Sequence, residues 1–90
     1  MQISRIDLDI LGQLDEGFTP QKAVVRGCIE RTSTGEAYCY ARIRQLEAIG
    51  LITKSRLDSR NDRFLSLTEQ GKEILLKEVF RVENREQIPV

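Results

Sequence analysis

Ninety residues, 27 of them Leu, Ile, Val or Phe, suffice for one small hydrophobic core and are too few for two. Lys and Arg balance Asp and Glu at 14 each, histidine is absent, and there are only two cysteines. That composition excludes imidazole-dependent catalysis, imidazole metal ligation and a disulfide scaffold, and it argues against an enzyme. No run of about 18 apolar residues occurs, and Met1-Gln2-Ile3-Ser4-Arg5-Ile6-Asp7 lacks the basic start and apolar stretch of a signal peptide. The expectation is a reduced, cytoplasmic protein with no cofactor and no membrane partner.

Ser4 to Leu14 is predicted to be a helix. Ser4 and Asp7 have the spacing of a capping box. Ile3, Ile6 or Asp7, Ile10, Leu11 and Leu14 recur at three- and four-residue steps, which makes one apolar stripe. Asp15-Glu16-Gly17 ends this helix, and Phe18 is expected to link onward with its ring in the core. Thr19-Pro20 reads as the cap and first position of a short helix carrying Ala23, Val24, Val25, Cys28 and Ile29. Ser33 followed by Glu36 matches a second capping box and opens a longer helix through Ile49. Gly50 then supplies a left-handed helix end, with Leu51 packing back.

After Gly50 the period changes from helix to strand. Residues 51–57 and 63–67 are two strand candidates around a polar turn at 58–62, a β-hairpin. Thr68 caps a last helix to about Val82, and residues 83–90 are read as a flexible tail. The expected class is α+β: a three-helix core, a two-stranded hairpin and a C-terminal helix, all within residues 1–82.

The zero net charge conceals segregation. Residues 1–18 carry one cation against four anions; residues 19–67 carry nine against five, a surplus of +4; residues 68–90 carry four against five. A basic middle segment suits a polyanionic partner. Two helices joined by a tight turn are the arrangement that sets a second helix in a DNA major groove, and the hairpin beside them is a wing.

Two stretches carry a resemblance. Tyr40-Ala-Arg-Ile-Arg-Gln-Leu-Glu-Ala-Ile-Gly-Leu-Ile52 resembles the recognition-helix ending of winged helix-turn-helix regulators, where Leu-Glu-x-x-Gly-Leu leads into the wing. Phe64-Leu65-Ser66-Leu67-Thr68-Glu69-Gln70-Gly71 resembles their second wing strand and Leu-Thr-x-x-Gly helix start. MarR-type regulators and the small repressor-like winged-helix proteins of archaea and their viruses share this pattern, which spans roughly residues 4–80 here. The resemblance implies sequence-specific binding of double-stranded DNA as a homodimer, as a transcriptional repressor. A winged-helix adaptor that binds protein, and a winged helix that binds RNA, are the alternatives.

Candidate contacts follow from the helix wheel. Cys39, Ile43 and Leu46 share one face and belong to the core. Ala37, Ala41, Arg44, Gln45 and Ala48 lie opposite, with Tyr38 and Arg42 on the flank. Small Ala37 and Ala41 allow close approach to a groove; Arg42, Arg44 and Gln45 suit base edges or phosphate, and Tyr38 suits phosphate. Arg56, Arg60, Asn61 and Arg63 on the wing, with Lys22 and Arg26 on the preceding helix, are expected to meet the backbone or minor groove. A solvated helix face and surface ion pairs with Asp58 and Asp62 are the plainer reading. Cys28 and Cys39 are expected to pack as small hydrophobes. Leu76, Val79, Phe80 and Val82 exceed what so small a core needs and are candidates for a two-fold dimer seam. Nothing in the sequence identifies a small-molecule effector.

Overall fold

The computed structural model describes residues 3–15, 17–56 and 61–87, with side chains up to residue 79. Its order is α1 (Arg5–Gln13), β1 (Thr19–Pro20), α2 (Gln21–Thr32), α3 (Glu36–Ala48), β2 (Ile52–Lys54), β3 (Phe64–Leu67) and α4 (Glu69–Gln87). This is the expected α+β winged helix, with one more strand than the expected hairpin.

Helix α1 begins as its sequence dictates. The Asp7 amide donates to Ser4 Oγ at 3.2 Å and the Ser4 amide donates to Asp7 Oδ2 at 3.1 Å, a reciprocal capping box. Ile10, Leu11 and Leu14 go into the core, joined there by Val24, Val25 and Cys28 of α2, Cys39, Ile43 and Leu46 of α3, Leu51, Ile52, Leu65 and Leu75. Ile74 packs against this cluster from outside. The core face read from α3 is found buried, as is the α1 stripe from Asp7 to Leu14, while Ile3 and Ile6 are only partly buried.

Four expectations are corrected. Thr19-Pro20 is not the start of a helix but an edge strand, pairing antiparallel with β3 through Thr19↔Leu65 and Pro20↔Phe64. The sheet order is therefore β1-β3-β2. Proline is tolerated there because an edge strand needs no ladder donor on its outer side. Phe18 does not enter the core and is 74% exposed. Its neighbour Thr19, opposite buried Leu65, takes the inward position, and successive side chains alternate. Ser33 does not cap α3. It ends α2 in the left-handed conformation, φ 55°, and Gly35 stands at the α3 N-cap without a side-chain bond. Finally, α4 runs to Gln87, five residues beyond its expected end at Val82, so most of the expected tail is helical; residues 88–90 lie outside the described residues.

The junction between α3, the wing and α4 accounts for the two motifs singled out in the sequence. Gly50 has φ +86°, the Leu51 amide donates to Leu46 O at 2.9 Å and the Gly50 amide to Glu47 O at 3.0 Å, a complete Schellman end. Thr68 Oγ1 donates to Gly50 O at 2.6 Å and accepts from the Gly71 amide at 3.0 Å, while the Thr68 amide donates to Leu51 O at 3.1 Å. One threonine thus caps α4 and ties its start to the end of α3. Gly71 is buried against the Leu51 carbonyl so closely that a Cβ would overlap that oxygen.

Candidate nucleic-acid interface

Helices α2 and α3 are separated by residues 33–35 alone and pack together, with the core face of α3 turned inward. The face opposite is left to solvent. Ala37, Arg44, Gln45 and Ala48 are exposed, Ala41 is half-buried, and Tyr38 is exposed. The expected outward face therefore exists, with small side chains beside a cation and an amide.

Lys22 and Arg26 are exposed on α2 and line, with Glu36 and Tyr40 of α3, a cleft of about 430 Å³ between the two helices. Glu30 also lines it, so the cleft carries both signs. Burial raises the Tyr40 pKa, with Glu36 and Asp62 adding in the same direction.

The wing is fastened to α2 by one main-chain bond and one side-chain carboxylate. The Gln21 amide donates to Arg63 O at 2.7 Å, and Asp62 Oδ1 accepts from the Arg63 amide at 2.8 Å and from the Lys22 amide at 3.4 Å. A carboxylate at a helix N-terminus is favoured by the free amides and the dipole there. Asp62, expected only as a surface partner of arginines, thereby joins the wing to α2. Asn61 adopts φ 60°, a conformation that asparagine tolerates better than most residues. Arg56 is exposed and Arg63 half-buried; Arg60 lies outside the described residues.

Three of the described cations are held in ion pairs, while Arg5 on α1 and Lys72 and Lys77 on α4 have none among the described residues. Arg31 pairs with Asp9 at 2.6 Å, Lys54 with Glu47 at 3.6 Å, and Arg42 with Asp7 at 2.8 Å. Arg26, Arg44, Arg56 and Arg63 have no carboxylate partner among the described residues. Arg42 is the expected site residue that departs from its assignment. Its Nε and Nη2 bond both oxygens of Asp7, at 2.8 and 2.9 Å, and that hydrogen bond raises its pKa against the opposing effect of partial burial. The flank position read from the wheel points to α1 and away from the outward face. Asp7 gave a sequence signal for this, being a carboxylate on an otherwise apolar stripe.

Cys28 and Cys39 are free thiols buried in the core. Burial first, and then the hydrogen bond with Cys28, push the Cys39 thiol up to about 11. Among the described residues no group of three His, Cys, Asp or Glu side chains could hold a metal ion, and no helix is long and apolar enough to cross a membrane. On α4, Leu76 is 69% and Val79 45% exposed. The side chains of Phe80 and Val82 lie outside the described residues.

The fold is that of winged helix-turn-helix regulators. No protein-family model matches the chain, and no curated protein does. Among solved structures it is similar to RosR of H. salinarum, with a TM-score of 0.85 and 21% identity over 99% of this chain and 82% of that one. It is also similar to BldR, a transcriptional regulator from Sulfolobus solfataricus, with a TM-score of 0.71 and 27% identity over 96% of this chain and 61% of that one. BpsR of Bordetella bronchiseptica, whose DNA binding is regulated by 6-hydroxynicotinic acid, superposes with a TM-score of 0.72 and 21% identity, over 96% of this chain and 59% of that one.

Proposed function

We propose that the chain binds double-stranded DNA and acts as a transcriptional regulator, a repressor working as a homodimer. The observation that carries this reading is the group of arginines on α2, the outward face of α3 and the wing that have no carboxylate partner among the described residues. Arg31 and Arg42, turned to α1, and Lys54, at the α3–β2 junction, are neutralised by carboxylates. Arg26, Arg44, Arg56 and Arg63, on α2, the outward face of α3 and the wing, are left without one among the described residues. Unpaired cations on these elements supply phosphate contacts, and Arg44 and Gln45 between small alanines supply base contacts. BpsR and BldR support the same reading by likeness of fold. The chain serves here as a binding protein rather than an enzyme.

Selection from random-sequence duplexes tests it. The chain should retain a common sequence, present as two half-sites about 10–10.5 base pairs apart. Retention without sequence preference would contradict the regulator reading, while no retention, or preference for single-stranded RNA competitor, would favour the alternatives.

The dimer reading rests on α4. Leu76 and Val79 lie three residues apart on one side of the helix and remain largely open to solvent. Phe80 and Val82 extend the same sequence pattern. Burying each such side chain against a second copy contributes roughly 1.5–3 kcal/mol. Leu76→Glu should therefore shift the chain from dimer to folded monomer in sedimentation at tens of micromolar. An unaltered chain that sediments as a monomer at that concentration, or a Leu76→Glu variant that still dimerises, contradicts the seam.

A further inference from the structure

We infer that the Asp7–Arg42 pair is a strut that sets the angle and depth of α3, so that Arg42 determines sequence preference without touching DNA. This rests on the DNA-binding reading above and deepens it. Three observations support it together. Asp7 is fully buried, the only charged residue in the described core. Its carboxylate is held from both ends of the arrangement, by the Ser4 amide at the start of α1 and by two Arg42 nitrogens at the middle of α3. Arg42 is itself only 27% exposed, on the flank of α3 and not on its outward face.

Geometry explains why this pair orients. A guanidinium bonded at two nitrogens to one carboxylate fixes direction as well as distance, which a single contact does not. The carboxylate cannot swing to accommodate a shifted arginine, because the capping box holds it to the first turn of α1. Apolar packing of Ile43 and Leu46 seats α3 on the core but tolerates small rotations about the helix axis. The fork resists rotation at the position halfway along the helix. A rotation displaces Ala37, Ala41, Arg44 and Gln45 together, so loss of the strut degrades every base contact at once.

A double-mutant cycle with Asp7→Asn and Arg42→Met tests the strut. Arg42→Met keeps most of the aliphatic stem, and Asp7→Asn keeps the shape of the carboxyl. Affinity is measured for the selected duplex and for a scrambled duplex of equal length, well below each variant's melting temperature. Each single variant should lower the ratio of the two affinities about tenfold or more, with the loss spread over all positions of the half-site. The double variant should lose no more than either single one, since coupled residues are non-additive. The salt slope should stay unchanged, because Arg42 neutralises no phosphate. Val25→Ala, a core truncation on α2 that bonds neither member of the pair, should lower the melting temperature without moving the ratio. Arg42→Lys, which keeps the charge and loses the fork, should resemble Arg42→Met, and it also serves if Arg42→Met fails to fold.

Relaxed preference at one base pair alone, or a slope reduced by about one unit in Arg42→Met with Asp7→Asn unaffected, would overturn the strut and return Arg42 to direct contact. No duplex binding by the unaltered chain would overturn the DNA reading instead. The melting temperatures of the same four proteins would then decide the strut alone: coupled losses support it, and additive losses overturn it.

Discussion

Gly71→Ala should lower the melting temperature by more than about 10 °C, with a loss of about 3 kcal/mol or more, although alanine is the better helix former. A ninety-residue domain holds only about 5–13 kcal/mol in total. The added Cβ overlaps the Leu51 carbonyl oxygen, which is backbone and cannot rotate away as a side chain can. That oxygen also accepts the Thr68 amide at 3.1 Å, so relieving the overlap pulls apart the bond that ties α4 to the end of α3. Leu67 Cδ2 sits 3.2 Å from the same Cβ position and closes the other direction. Gly12→Ala is the control. A Cβ there meets nothing within 4 Å, and replacing glycine within α1 should stabilise by about 0.5–1 kcal/mol. Circular-dichroism melting of the two variants should show shifts of opposite sign.

Arg44→Glu should weaken binding to a selected duplex roughly hundredfold or more without changing the fold. Removing an arginine from a base or phosphate contact costs about 1–3 kcal/mol. Reversal adds repulsion between the new carboxylate and the phosphates that flank the groove. Arg44 is exposed and has no ion pair among the described residues, so folded stability should change by no more than about 0.5 kcal/mol. Titration of a labelled duplex measures the first quantity and melting the second. A full loss of affinity with unchanged melting separates a contact residue from a structural one. Unchanged affinity would remove α3's outward face from the interface.

The elements that were legible in the sequence are those whose cause is local. Periodicity places Ile10, Leu11 and Leu14 of α1 and Cys39, Ile43 and Leu46 of α3 in the core, and Ser4 with Asp7 marks the start of α1. Gly50 with Leu51 signals the end of α3, and Thr68 the start of α4, because each satisfies a backbone rule within a few residues.

What was not legible depends on partners distant in sequence. Thr19-Pro20 has the composition of a helix start, and only Phe64 and Leu65, more than forty residues on, turn it into a strand. Phe18 is apolar, but the alternation imposed by that pairing turns it outward. In the candidate site, the wheel separates the inner and outer faces of α3, yet it cannot assign a flank. Arg42 stands between them, and the buried carboxylate of Asp7, thirty-five positions earlier, decides its direction. Likewise the spacing of Asp62 from α2 carries no hint that its carboxylate meets the Lys22 amide.

The proposal that α3, α2 and the wing bind duplex DNA is tested most directly by the affinity of the unaltered chain for a selected duplex as salt is raised. A dimer making on the order of 6–10 phosphate contacts should lose roughly 10³–10⁵ in affinity between 50 and 200 mM salt, with a linear dependence of log affinity on log salt. No duplex binding at 50 mM salt, or an affinity indifferent to salt, would contradict it.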